Sequence, residues 1–519
     1  MANKQLFQTT PGALAPQADA RNNHGARAYA FTAKHELAQY AATGCLNATF
    51  YAGAEEQLAR VLELCADPRV TPEFIARTAV YSRTRGYMKD MPALMTAILS
   101  VRDIDLFKMV FPRVIDNGRM LRNFVQVMRS GVTGRKSMGT LPRRMIREWF
   151  DTRTDEAVFQ ASVGNDPSFA DIVRMVHPAP GTASREALFG WMLGRDHDAD
   201  ALPGVVRQFE QYKTGAIGEL PQVPFQMLTA LNLGTPEWTA IARNASWQTT
   251  RMNLNTFARH GVFAEPGMAR LIAARLRDAG EVRGARAFPY QLLSAYNNVD
   301  EKVPAIVREA LQDAMEIAID NVPAFAGTVF VCPDVSGSMQ SPVTGQRRGA
   351  ASKVRCIDVA ALVAAAVLRN NRAAEVIPFE HDVVKLSLNP RDSVMTNARK
   401  LASIGGGGTN CSAPLRMLNE RRAKGDLVIF VSDNESWVDA GRGRGTATMH
   451  EWMQFRRRNP EARLVCIDIQ PYGTTQAKER PEILNVGGFS DQVFDVIAEF
   501  AAGRMGADHW VSVIENVSL

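Results

Sequence analysis

At 519 residues, with 46% hydrophobic and 22% charged side chains, the chain has a globular composition but is too long for one core, so two or three domains are expected. It contains no apolar run long enough to span a membrane, and its start, Met1-Ala2-Asn3-Lys4-Gln5-Leu6, lacks the apolar core of a secretory signal. The net charge of +6 conceals an asymmetry: residues 83–147 carry 14 Lys or Arg against 4 Asp or Glu, a recognised footprint of contact with nucleic acid.

Six cysteines are scattered without a C-x-x-C pair and eight histidines show no zinc spacing, which predicts reduced, buried thiols in a cytoplasmic protein and no zinc site. Residues 1–25 are polar, with Pro11, Pro16 and the run Arg21-Asn22-Asn23-His24-Gly25, and read as an arm of little regular structure. From 26 to 322 the pattern is helical. Apolar residues recur at three- and four-residue steps over 55–66, 72–82, 92–101, 106–114, 121–129, 143–150, 171–176 and 266–279. Prolines and glycines such as Pro68, Gly86, Pro112, Gly131 and Pro167 separate these segments. Helices this short are unstable alone, so antiparallel pairs stacked into degenerate, HEAT-like repeats are expected.

Within this half, Arg143, Arg144 and Arg147 share one face of a predicted helix, and Arg135 and Lys136 extend the patch into the preceding loop. Such groups neutralise phosphates, the term that supplies most sequence-independent affinity for RNA; a merely solvated helix face is the plainer alternative. Segment 242–255, rich in amides and hydroxyls and carrying Arg243 and Arg251, reads as part of a helix. Its polar groups either line an RNA path or cap and pack the repeats, and both readings stand. Trp238 and Trp247 are expected to pack inside.

The character changes at Val322-Pro323. From 323 to 519, predicted strands at 328–333, 376–379, 383–386, 426–432 and 463–469 alternate with helices at 350–369, 391–403, 413–423, 449–458 and 491–501, a doubly wound α/β pattern. The first strand ends in Asp334-Val335-Ser336-Gly337-Ser338, a carboxylate followed by hydroxyls at alternate positions. A glycine loop, Gly405-Gly406-Gly407-Gly408, presents Thr409, and a further buried strand ends at Asp433. Ligands of open α/β sheets gather at the carboxyl ends of strands. An oxygen-only donor set of Asp334, Ser336, Ser338, Thr409 and Asp433 suits Mg²⁺. In this order the positions match the metal-ion-dependent adhesion site of von Willebrand A domains.

The helical half, its basic segment and this carboxyl-terminal domain together resemble the Ro ribonucleoprotein, or TROVE-domain, family. Local strings carry the resemblance: Arg85-Gly86-Tyr87-Met88-Lys89-Asp90, Arg143-Arg144-Met145-Ile146-Arg147-Glu148-Trp149-Phe150, Asp171-Ile172-Val173-Arg174-Met175-Val176-His177-Pro178, Ala287-Phe288-Pro289-Tyr290, Gly408-Thr409-Asn410-Cys411-Ser412 and Ser432-Asp433-Asn434-Glu435-Ser436. The match spans nearly the whole chain and is similar to a bacterial member. It implies a helical-repeat ring whose basic hole takes single-stranded 3′ ends of misfolded or immature noncoding RNAs, with a Y or Y-like RNA on the outer surface. It also implies cooperation with 3′-to-5′ exoribonucleases and, beside some relatives, an RNA ligase of the RtcB kind. His177 falls where the family places a histidine at the RNA surface, and Arg174, one turn earlier, would share its role; a structural histidine beside proline is the competing reading. One arginine of the family pattern is missing, because Ser137-Met138-Gly139-Thr140 stands before the helix.

The function expected is an RNA-binding scaffold in RNA quality control that is not an enzyme, working as a monomer without DNA or membrane partners. The tetraglycine loop lacks the Gly-Lys-Ser/Thr ending of a phosphate-cradling loop, and the metal residues lack the carboxylates of a two-metal site. A metal-dependent adaptor for an ATPase partner is the alternative, and it leaves the basic stretch without purpose. A phosphoesterase built on Asp334 and Asp433 is a third reading, disfavoured because hydroxyls outnumber carboxylates.

Overall fold

The computed structural model describes residues 15–44, 46–135, 137–285, 289–319, 322–346, 354–438, 444–488, 490–505 and 509–519. The chain divides into two compact units: residues 1–64 with 319–513, and residues 65–318 with 514–519. The division differs from boundaries at 25 and 322, since the amino-terminal 64 residues belong to the α/β unit.

The second unit is helical. Pro72–Thr84 packs against Asp90–Arg102 and Ile104–Val114, and Gly118–Ser130 packs on Asp90–Arg102. Thr140–Asp151 then meets Phe169–Val176, and Met268–Leu276 meets Ala305–Ala318. The predicted helix at 266–279 is shorter, because Gly267 takes a left-handed conformation (φ 81°) and starts it. Segment 242–255 is broken into the ends and bodies of Thr235–Asn244, Trp247–Met252 and Leu254–Arg259. Ser246 forces the first break by accepting a hydrogen bond from Thr249 N as a helix cap. Trp247 is 1% exposed and donates its indole N–H to Leu276 O (3.0 Å), so it packs inside as expected, as does Trp238.

The α/β unit is built on five parallel strands. In chain order the strands of this unit are β1 (Ala20–Arg21), β2 (Arg27–Ala30), β3 (Val329–Pro333), β4 (Glu375–Val376), β5 (Leu427–Ser432), β6 (Arg463–Asp468), β7 (Thr474–Thr475) and β8 (Ile483–Gly487). The large sheet runs β4-β3-β5-β6-β8, with Val331 opposite Ile429 and Ile429 opposite Val465. Every residue of β3 and β5 is buried, as continuous β-branched runs covered on both faces require. The predicted strand at 376–379 shortens to Glu375–Val376, and 383–386 forms no strand beyond a single bridge from Val383 to Phe379.

The 1–25 arm is not irregular throughout. Its tail enters a small antiparallel sheet, β1-β2-β7, in which Tyr29 pairs with Thr475. Helix Ala33–Thr43 follows and packs on β8. The approach is close at Gly487, where a Cβ would overlap Gln39 Oε1. Among the described residues no helix is long and apolar enough to cross a membrane.

Candidate functional site

The order of the large sheet reverses between β3 and β5: the strand next in sequence after β3 lies on its far side, and β5 lies on the near side. The carboxyl ends of two such neighbours diverge into a crevice. Asp334 follows β3 and Asp433 follows β5, so the strand order brings two carboxylates, distant in sequence, to the same crevice.

Five side chains predicted from sequence converge there. Asp334 and Ser336 are fully buried, and Ser338, Thr409 and Asp433 nearly so. Thr409 Oγ1 donates to Ser336 Oγ at 2.9 Å, and the hydroxyls of Ser336 and Ser338 are 3.4 Å apart. Ser338 also lies beside the Asp433 carboxylate and favours its charged form. Ser336 N donates to Asp334 Oδ1 (2.8 Å), and Ser432 Oγ donates to Asp334 Oδ2 (2.5 Å). Gly337 N donates to Gly407 O (3.1 Å), which fastens the glycine loop to the turn and delivers Thr409. Gly407 has φ 76°, a left-handed conformation that favours glycine, and a Cβ on it would also displace the Glu380 carboxylate.

Burial, then the neighbouring charge of Asp433, push the Asp334 carboxyl up to about 7; burial raises Asp433 as well. Glu435, two residues on, is raised to about 8 by burial and by Asp433, and Asp468 at the end of β6 is raised for the same reasons. Among the described residues no Lys or Arg pairs with Asp334 or Asp433. An uncompensated buried carboxylate pair is costly unless it is protonated or a cation sits beside it. No group of three or more His, Cys, Asp or Glu among the described residues is placed to hold a metal. The converging set is two carboxylates and three hydroxyls, which fits a hard divalent ion that retains water. Sequence reasoning missed Ser432, Glu435 and Asp468; each stands at the end of a buried strand or just past it, which is the signal that could have found them.

The basic residues fall into two groups within the helical unit. Arg143 and Arg144 are exposed on one face of Thr140–Asp151, Arg144 beside Glu148 at 3.4 Å. Arg147, on the same face, donates from Nε to Val176 O (2.6 Å), the carbonyl that precedes His177. This bond joins the first cluster to Arg174 and His177, both exposed. Arg174 pairs with Asp171 at 3.4 Å, and His177 ends its helix in a left-handed conformation (φ 49°). Arg129, which the sequence did not single out, acts on Asp171 from the neighbouring helix and belongs to the same surface. Lys136 lies outside the described residues.

In the second group Arg243 is exposed, whereas the Arg251 guanidinium turns inward. It donates to Gln291 O (2.8 Å), its Nε is buried without a partner, and burial lowers its pKa. A similar fate takes much of the basic run. Arg83 pairs with Asp116 at 2.7 Å, Arg135 donates to Ser100 O, Arg122 to Ala161 O (3.3 Å) and Arg113 to Ser518 O (2.5 Å). Arg135 and Arg122 each donate to a carbonyl in the last turn of a helix, which satisfies acceptors a helix leaves unpaired. The sequence excess of charge therefore overstates the charge available to a ligand.

Comparisons with known proteins agree with this fold. A family description of the Ro60 vWA domain matches residues 328–501. The chain is 24% identical over 93% of its length to a protein of Deinococcus radiodurans named RNA-binding protein RO60, covering 96% of that relative. A Caenorhabditis elegans protein of the same name is 22% identical over 45% of this chain and 37% of its own length. A crystal structure of the Deinococcus radiodurans RO (RSR) protein superposes with a TM-score of 0.60 at 20% identity, over 91% of this chain and all of that one, and shares its fold.

Proposed function

We propose that the chain, which is similar to Ro-type proteins over nearly its whole length, binds RNA through the helical unit and acts as a scaffold rather than a catalyst. The observation that carries the reading is the surface formed by Arg143, Arg144, Arg147, Arg174 and His177, drawn together by the bond from Arg147 to Val176. Exposed guanidinium groups at neighbouring helix ends neutralise phosphates without reading bases. RNA ends of many sequences are suitable ligands for such a surface. The RNAs proposed are misfolded or immature noncoding RNAs, held by single-stranded 3′ ends, and a Y or Y-like RNA. A 3′-to-5′ exoribonuclease would receive the bound strand. The five described cysteines are buried and joined by no disulfide, which supports a reducing, cytoplasmic setting.

In the A domain, Asp334, Ser336, Ser338, Thr409 and Asp433 would hold Mg²⁺. The ion supplies positive charge that relieves the repulsion between the two carboxylates. Asp334 accepts from Ser432 and from Ser336 N, and these bonds aim the carboxylate toward the hydroxyls.

Fluorescence anisotropy with a labelled single-stranded RNA tests the reading. The double variant Arg143→Glu/Arg144→Glu is expected to bind weakly, with the slope of log affinity against log salt reduced by about one for each phosphate that is no longer neutralised. Unchanged affinity and slope would remove the proposed surface.

A further inference from the structure

We infer that the chain closes its own metal face: the amino-terminal segment lays the Tyr51 hydroxyl and the His24 ring over the hydroxyl side of the site, where an acidic group from another molecule would have to enter. The inference rests on the metal-site reading above.

Three independent anchors hold the cover. The turn between β1 and β2 is organised by Asn22, whose Oδ1 accepts from His24 N (3.1 Å) and Ala26 N (2.9 Å). Asn22 then donates from Nδ2 to Ser436 O at 2.6 Å, and Asn23 N donates to Glu435 Oε2 at 2.9 Å. Both acceptors lie within three residues of Asp433. A second anchor is the bridge from Ala48 to Gln346, in which Gln346 N donates to Ala48 O at 2.6 Å, with Asn47 Nδ2 donating to Thr344 O at 2.7 Å. It fixes the approach of Tyr51 from the opposite side.

The third anchor is the point where the two segments meet. His24 Nε2 and the Tyr51 hydroxyl are 2.8 Å apart, and the Tyr51 hydroxyl lies close enough to Ser338, Asp433 and Asp334 for each of them to act on it. The His24 ring lies against Trp437 with centroids 5.3 Å apart, and Tyr51 meets Tyr472 edge-on at 5.5 Å. A hydroxyl beside one of the serines that would hold the metal, braced by a histidine, stands where a bound ion would otherwise carry exchangeable water or a foreign carboxylate. A tyrosine that packed there only for its apolar ring would leave the phenol oxygen pointing elsewhere. The cover suits a site that ties the amino-terminal segment to the sheet, and it is unsuited to capture of an acidic partner.

Mn²⁺ in the full-length protein is the probe. Bound ion is counted by electron paramagnetic resonance, inner-sphere water by proton relaxation, and acetate serves as the carboxylate. The wild type is expected to bind Mn²⁺ with few exchangeable waters and no response to acetate. Tyr51→Phe, which keeps the ring and removes the oxygen, should bind Mn²⁺ with added inner-sphere water that acetate then displaces; His24→Ala should move partway. Wild-type Mn²⁺ relaxation that acetate already lowers, or a Tyr51→Phe variant identical to wild type, would overturn the cover while leaving the metal site standing. Absence of stoichiometric Mn²⁺ in the wild type and both variants would overturn the metal reading and the cover with it.

Discussion

Arg147 donates its Nε–H to the carbonyl of Val176 at 2.6 Å, and that one bond sets two helical segments side by side. Its neighbour Arg143, four residues earlier on the same face, meets no carboxylate among the described residues. The pair separates architecture from binding. Arg143→Ala should leave the melting temperature unchanged and weaken RNA binding. Arg147→Ala should lower stability by about 1 kcal/mol, the scale of a partly exposed charged hydrogen bond, and weaken RNA binding as well. Thermal unfolding with parallel anisotropy titrations checks both; equal stability of the two variants would mean that the bond to Val176 contributes nothing.

The carboxylates of the A domain predict an inverted pH response in EDTA-treated protein. The folded state keeps a proton on Asp334 up to about 7, whereas the unfolded chain releases it near 3.8. Glu435 behaves likewise, at about 8 against 4.5. Because the folded state binds more protons through that window, stability is expected to fall as pH rises across it. Added Mg²⁺ should raise the melting temperature little at pH ~5.5 and substantially at pH ~8, since metal binding competes with these protons. A melting temperature that rises with pH in EDTA would contradict the arrangement.

Asp334→Asn removes one charge of the pair. Without metal at pH ~8 it should melt higher than wild type, because a buried like-charge repulsion is gone. It should respond no further to Mg²⁺ while binding RNA normally, since the basic surface belongs to the helical unit. Collapse of RNA binding in this folded variant would show that the two functions are not separate.

Trp247→Ala should cost about 3–5 kcal/mol in urea unfolding of the helical unit, the range for an emptied aromatic site. The ring is 1% exposed and its N–H is already used by Leu276, so weaker RNA binding at unchanged stability would be incompatible with its position.

The sequence was legible where periodicity and strand-end chemistry coincide. The helices from 72 to 151 follow the three- and four-residue apolar steps closely, and all five oxygen donors predicted for the ion stand at one crevice. Pairings of low local content were not legible. β7 is two residues long, and its partner β2 lies more than 400 residues earlier, so neither strand announces the other. β8, Ile-Leu-Asn-Val-Gly, was missed because Asn485 interrupts the apolar run; that side chain is buried by bonds to Thr475 and Ala477 that only the fold creates. Arg251 shows the same limit from the other side: a guanidinium can seek phosphate or a helix-end carbonyl, and composition does not distinguish them.

The α/β unit draws on segments far apart along the polypeptide, and that imposes an order of assembly. Residues 15–43 leave the ribosome early, yet β7 and β8, against which they pack, are synthesised more than 400 positions later. Vectorial synthesis therefore leaves this leading stretch waiting while most of the helical unit is made, and Arg77 and Arg113 of that unit await the carbonyls of Val517 and Ser518. Nascent chains stalled before residue 470 should accordingly expose residues 15–43 to protease, and chains whose β7 and β8 have emerged should protect them.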